Sequence, residues 1–249
     1  MIHIQLIRFF ISFIGIRLKD IKKILQNLTL IKAVILDMDG VLVDSEPYHV
    51  QSFKIMMDEL KLNYEDSFVH SFIGHSIESN IESINEHYMQ GCELNLSEAV
   101  AYRDALYLDL IKQADLQPMP GIVKLIETCR MKDISLALAS SSIQEQVEVI
   151  LAKLSSNGWN LNTIFTSIVT GDDVKKRKPS PDIYQKSVLN LNIPAHQCLA
   201  IEDSPAGVQS AKSTGLHCIA LKSAFIDSNK LKGADLLIDN INEIVKLFE

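Results

Sequence analysis

Acids, hydroxyls and one lysine gather in this chain at a few short points, each directly after an apolar run. Asp37 and Asp39 close the run 33–36, and Glu202-Asp203 closes the run 199–201. Alternation along an extended strand sends Asp37 and Asp39 in roughly one direction and Met38 in the other. Asp203, brought in from a neighbouring strand, would make three carboxylates on one spot. Unpaired, such a set repels itself and raises its own pKa values. A hard divalent cation relieves that, and Mg²⁺ takes oxygen ligands while keeping room for water or a phosphate oxygen. A carboxylate beside such an ion can attack phosphorus, and a second can protonate the leaving oxygen and later deprotonate water. Ser140 after the run 136–139, together with Lys178, supplies groups suited to neutralising a phosphoryl in transfer.

The elements needed to position these groups are legible. Runs 33–36, 136–139, 167–169, 199–201 and 218–221 are short and nearly continuously apolar, and helical patterns at 143–154, 182–191 and 206–213 separate the later ones. This alternation predicts a doubly wound parallel sheet of α/β type, covered on both faces, with ligands at the carboxyl ends of the strands. Residues 45–117 break the rhythm and read as helices alone, at 48–60, 77–87 and 98–112. Phe53, Met56, Met57 and Leu60 form a packing stripe on the first of these. The expected organisation is a core of residues 32–45 and 118–249, a helical unit at 46–117 inserted over the sheet edge, and an N-terminal extension at 1–31. For the extension, a poorly packed segment from a start codon placed too far upstream is preferred. A peripheral membrane-surface helix is the alternative. Residues 1–16 are too short and too interrupted for an integral membrane span.

Bulk properties narrow the class. A net charge of −7 argues against nucleic acid as a partner, while leaving room for a basic pocket that takes an anionic metabolite. Cys92, Cys129, Cys198 and Cys218 form no CxxC pair, so neither a disulfide framework nor a zinc site is expected, and a reducing cytoplasm fits. Cys198 and Cys218 read as small buried hydrophobes. His70, His75 and His87 are too scattered to form a metal site.

Taken in order, these motifs resemble the haloacid dehalogenase superfamily. Asp37-Met38-Asp39-Gly40-Val41-Leu42 matches its first motif, and Ser140 the second. Lys178-Pro179 matches the third, and Glu202-Asp203-Ser204-Pro205-Ala206-Gly207 the fourth. The resemblance implies a Rossmann-like core with an inserted helical cap, and an aspartyl-phosphate formed on Asp37, with Asp39 as general acid/base. It implies Mg²⁺ held by Asp37, the Asp39 carbonyl and Asp203, with Glu202 direct or through water, and Ser140 and Lys178 on the phosphoryl oxygens. Ser141 and Ser142 read as caps of the following helix. Asp172 and Asp173 read as structural, fixing their loop and Lys178.

The Asp44-Ser45-Glu46-Pro47 and Ser204–Gly207 segments are similar to the group of β-phosphoglucomutases and sugar-phosphate phosphatases. His49 matches a cap-hinge histidine of the mutases and is a candidate for substrate contact. Ile77 stands where the mutases carry an arginine for the distal phosphate, and Arg103 is the only nearby arginine of the cap. A phosphatase acting on a small phosphomonoester is therefore expected, ahead of a mutase. A non-catalytic phosphometabolite-binding protein comes third, since every catalytic position is filled. A monomer is the default expectation.

Overall fold

The computed structural model describes residues 30–155 and 160–248. All but the last two residues of the expected N-terminal extension lie outside the described residues. Strands β1 (Ala33–Leu36), β2 (Ser135–Ala139), β3 (Ser167–Val169), β4 (Cys198–Glu202), β5 (His217–Leu221) and β6 (Leu236–Ile238) form one sheet. Its order is β3-β2-β1-β4-β5-β6 and every pairing is parallel. The chain winds outward from β1 through β2 to β3, then returns to β4 on the other side of β1. This reversal puts a crevice at the carboxyl ends of β1 and its two neighbours, which is where open α/β sheets bind ligands.

Between β1 and β2 lie α1 (Glu46–Glu59), α2 (Asp66–His70), α3 (Ile77–Tyr88), α4 (Leu96–Gln113) and α5 (Ile122–Met131). Then come α6 (Gln144–Ser155), α7 (Leu161–Ile164), α8 (Asp182–Leu191), α9 (Pro205–Ser213) and α10 (Asn242–Phe248). Helix starts follow local chemistry. Pro47 opens α1, the Ser76 side chain accepts from Ser79 N at the start of α3, and Asn95 accepts from Glu98 N at the start of α4.

The two faces of the sheet are built differently. Val34, Leu36, Leu136, Leu138, Leu199 and Ile201 point to one side and pack with α4, α5, α6 and α10. Ala33, Ala137, Ala139, Cys198, Ala200, Cys218 and Ala220 point to the other side, where α8 and α9 lie. Small side chains on that face let both helices approach the backbone closely. Cys198 and Cys218 are fully buried there, as their place in apolar runs led one to expect. The inserted helices have a separate core that includes Phe53, Met56, Met57, Phe72, Ile81 and Ile84. Leu60, expected in that stripe, caps α1 and is only half-buried.

The segments that enter and leave the insert pair with each other. Val43 bridges Pro118, and Met119 N donates to Leu42 O at 2.9 Å. Insert and core therefore meet at a narrow two-strand neck. Sequence reading missed β6, a three-residue edge strand with two of its residues only half-buried, too short and too polar in context to register. Helices α2, α5, α7 and α10 were also unread. Three of these have seven residues or fewer, below the length at which periodicity shows.

Candidate active site at the carboxyl edge of the sheet

β1 runs without a break into the site, with Asp37 N donating to Ile201 O of β4 at 3.0 Å. Met38 turns into the core and is fully buried, so Asp37 and Asp39 both face the crevice as alternation requires. Gly40 then takes φ +74°, and a Cβ there would lie 2.0 Å from Asp203 Oδ2. The glycine after the acidic pair thus serves the turn and also lets Asp203 come in against the loop.

Asp37, Glu202 and Asp203 each place a carboxylate oxygen within 4.8 Å of the others. Among the described residues, one cation serves this group. Lys178, 6% exposed, donates to Asp37 Oδ1 and to Glu202 Oε1, both at 2.7 Å, and to Ala139 O at 2.9 Å. Burial and the nearby Glu202 charge push the Asp37 carboxyl up to about 7, against the pull of Lys178. Burial, with Asp37 and Glu202, holds the Asp203 carboxyl well above the usual range. The Lys178 ammonium is the reverse case: burial disfavours its charge, but Asp37 and Glu202 outweigh that and raise it. An all-oxygen donor set with more negative charge than one ammonium can balance fits a hard divalent cation such as Mg²⁺.

Glu202 is fully buried and engaged on both oxygens. Tyr184 donates to Oε1 at 2.6 Å, and Asp203 N and Ser204 Oγ each donate to Oε2 at 3.3 Å. Its carboxylate lies against the first turn of α9, where a Cβ on Gly207 would fall 1.9 Å from Oε2. With so many partners, Glu202 is better placed to orient Lys178 and Asp203 than to give an oxygen to an ion.

Asp39 lives in different surroundings. Its Oδ1 accepts from Ser45 Oγ at 2.5 Å and Tyr107 OH at 3.0 Å, and lies 3.2 Å from His49 Nε2. Its Oδ2 accepts from Ser142 Oγ at 3.0 Å. Burial alone would raise this carboxyl, but the His49 charge and hydrogen bond, with those of Ser45 and Ser142, bring it well below the usual range. The His49 ring stacks on Tyr107 with centroids 4.0 Å apart, and its Nδ1 meets Arg103 Nη2. Arg103 lies over the Phe53 and Tyr107 rings at 4.9 and 5.0 Å.

Core and insert together line a cleft with a cavity volume of about 150 Å³. Asp37, Asp39, Lys178 and Asp203 line its core side, and His49, Phe53, Phe72 and Arg103 its insert side. Of the residues singled out from sequence, the structure thus brings together Asp37, Asp39, His49, Lys178, Glu202 and Asp203. Ser140 is at the right strand end but fully buried, with its Oγ accepting from Ser142 N at 3.0 Å; Ser141 and Ser142 form the cleft surface instead. Ser142, read as a helix cap, turns to Asp39 because the strand end points there before α6 begins. Asp173 fixes its own loop through Thr170 as expected, but pairs with Lys186 rather than Lys178. Tyr107 was missed altogether, and Ser45 was read only as part of the 44–47 segment, with no role at the site. One helical turn separates Tyr107 from Arg103 on α4, and that shared face was the available signal.

Three kinds of likeness agree with this geometry. The profile of the family described as haloacid dehalogenase-like hydrolase matches residues 34–221, which takes in β1 through β5, the insert and all the clustered acids. The crystal structure of CbbY from Rhodobacter sphaeroides in complex with phosphate superposes with a TM-score of 0.72 at 27% identity, covering 86% of this chain and 96% of that one. Validoxylamine A 7'-phosphate phosphatase of Streptomyces hygroscopicus subsp. limoneus is 25% identical over 213 residues, 86% of this chain and 95% of the relative. β-Phosphoglucomutase of Bacillus subtilis is 28% identical over 219 residues, 86% of this chain and 91% of the relative. With the family profile spanning most of its length and the fold and helical insert to match, this chain belongs to the haloacid dehalogenase-like hydrolases.

Proposed function

We propose that this chain is a Mg²⁺-dependent phosphatase that hydrolyses a small phosphomonoester, a sugar phosphate in the first instance, through an aspartyl-phosphate on Asp37. The observation that carries the reading is the opposed pair of carboxylates two residues apart: Asp37 within the Lys178–Glu202–Asp203 cluster, Asp39 in a hydrogen-bonded network of its own. Lys178 and a cation held by the cluster would favour the ionised Asp37 that a nucleophile needs, and Asp39 lines the same cleft two residues on, within reach of a leaving oxygen.

In the first step an Asp37 oxygen forms a bond to phosphorus as the ester P–O bond breaks, and the departing alkoxide takes a proton from Asp39. In the second, water attacks phosphorus, gives its proton to Asp39, and frees inorganic phosphate and the Asp37 carboxylate. Lys178 holds Asp37 in place and balances phosphoryl charge, with Ser140 shaping the turn that presents Ser141 and Ser142. Asp37, Asp203 and the Asp39 carbonyl would hold the ion, with Glu202 acting behind them through Lys178 or a water. A bound Mg²⁺ would offset the repulsion between nucleophile and phosphate and draw charge from the phosphoryl oxygens. The helical insert, at residues 46–117, closes the cleft and excludes water other than the reacting one.

The contact of His49 with Asp39 favours a second reading, a sugar-phosphate mutase, because that histidine ties the proton-exchanging group to the insert. One assay separates the two. Phosphate release is followed over a panel of sugar phosphates and nucleotides with magnesium and then with EDTA, alongside conversion of β-glucose 1-phosphate to glucose 6-phosphate. Magnesium-dependent phosphate release is expected. Isomerisation without release, stimulated by a bisphosphate primer, would make the mutase reading correct. Failure to form a BeF₃⁻ adduct on Asp37 with magnesium present would remove both.

A further inference from the structure

Among the described residues, two buried side-chain polar atoms have no hydrogen-bond partner, Arg103 Nε and Arg177 Nη1. Both belong to guanidinium groups, and both residues line the same cleft. Buried donors are almost always satisfied in folded proteins, so two orphans at one place point to something that is bound there. Their charge is under-matched as well. Arg103 Nη1 donates a long hydrogen bond to Asp104 Oδ1 at 3.3 Å, and Arg177 Nη1 lies 3.5 Å from Asp104 Oδ2 without bonding to it. Two guanidiniums thus share one carboxylate, while Lys178 beside them has two of its own, Asp37 and Glu202.

The pair straddles the boundary between insert and core. Arg103 projects from α4 and is 1% exposed, whereas Arg177, from the loop that carries Lys178, keeps 21% of its side chain exposed and buries only its Nη1 end. Asp104 is itself 5% exposed and anchored from behind, since Gln146 of α6 donates to the Asp104 carbonyl at 3.1 Å. Burying a guanidinium is costly unless it gains an anionic partner. Arginine's fork suits a planar or tetrahedral oxyanion, which it can hold through two parallel hydrogen bonds.

We propose that Arg103 and Arg177 form a subsite for a second anionic group on the substrate, a carboxylate or a second phosphate, on the same molecule as the ester that Asp37 attacks. The substrate class is then a phosphomonoester with a second negative charge, rather than a neutral sugar phosphate. Its length is limited. Arg103 touches one nitrogen of His49 and Asp39 the other, so the second anion sits about one imidazole ring from the proton-exchanging carboxylate, a short carbon chain away. This rests on the phosphatase reading, and it adds the selectivity that the acidic cluster alone does not supply.

Matched pairs of esters test it: 2-phosphoglycolate against 2-hydroxyethyl phosphate, and fructose 1,6-bisphosphate against fructose 6-phosphate. In the wild-type enzyme with magnesium, kcat/KM is expected to favour the doubly charged member of at least one pair by about tenfold or more, as a charge-assisted hydrogen bond can supply. Arg177→Met and Arg103→Met should each bring that ratio toward one, whatever they do to absolute rates. Titration calorimetry on the Asp37→Asn protein should show the same preference in binding, without turnover. Turnover of both members at equal efficiency, or a preference unchanged in Arg177→Met, overturns the subsite and leaves the phosphatase standing. No turnover of any ester overturns both.

Discussion

The floor of the cleft and its wall solve opposite problems. The floor, made from strand ends, holds Asp37, Glu202 and Asp203 in mutual repulsion around one lysine, with the Asp37 carboxyl pushed up to about 7 by burial and Glu202. The wall, made from α1, α4 and their hinge, surrounds Asp39 with donors and pulls its carboxyl down. Asp37 and Asp39 stand two residues apart just after β1, yet their surroundings drive them in opposite directions. Ser45, His49 and Tyr107 on the wall, with Ser142 from the core, account for the difference. Proximity in sequence therefore says little about protonation; what packs around each carboxylate decides it.

The comparison breaks most visibly at the floor. Asp37→Asn should abolish turnover while leaving the fold intact, as checked by phosphate release alongside circular dichroism. Near wild-type activity in that variant would remove Asp37 from the chemistry. Asp39→Asn should cost more than about 10² in kcat if it exchanges protons with the leaving oxygen and with water. A loss below tenfold would mean that the wall network positions substrate and nothing more.

Most of this division was legible beforehand, for identifiable reasons. The floor was readable because most of its residues follow strands, and strands announce themselves as apolar runs: Asp37 and Asp203 were placed from such context, and Lys178 from its place before Pro179. Asp39's partners were not readable, since Tyr107 lies 68 residues away and its hydroxyl reaches the site only after α4 packs on the core. Arg103 was visible as a cap arginine, but Arg177 sits inside the basic run 175–178, and such runs are usually solvated faces. For Lys175 and Lys176 that rule holds, as both are exposed; for Arg177 it holds less well, because Gly171 packs against its guanidinium. The small-residue face of the sheet was likewise hidden, because alanine and cysteine in an apolar run do not tell which side a helix will choose.

A gentler test compares the two regions through pH. Asp37 has a folded-state value of about 7 against an ordinary value of 3.8, so the folded metal-free protein binds a proton that the unfolded chain releases. That contribution to stability is fully present below about pH 4 and is lost as pH rises through about 7. Asp203, raised in the same sense, adds to it. Asp39 has the opposite sign: its contribution is present above its ordinary value and is lost only in strong acid. In EDTA, Tm should therefore fall between pH 5 and pH 8, and the gain in Tm on adding Mg²⁺ should be larger at pH 8 than at pH 5. Equal gains at both would mean that the floor carboxylates are not what the ion compensates. Gly207→Ala tests the packing behind the floor, since a Cβ 1.9 Å from Glu202 Oε2 forces that carboxylate to move. Overpacking of this kind costs about 1–3 kcal/mol, and thermal or chemical denaturation would register it.

The smallest expected effect lies on Asp39's own network. Ser142→Ala removes the single donor to Asp39 Oδ2 while Ser45, Tyr107 and His49 still hold Oδ1. One net hydrogen bond is worth about 1 kcal/mol, or roughly a fivefold change, so kcat should fall by no more than that. The fold should be untouched, because Ser140 Oγ and Ser142 N keep the turn. The pH profile is the more telling readout. With one donor gone, Asp39 should hold its proton slightly more tightly, moving the acidic limb of kcat upward. A rate loss as large as that of Asp39→Asn would put the Ser142 hydroxyl on the transferring phosphoryl, joining to the floor a core residue whose hydroxyl in this structure donates to Asp39.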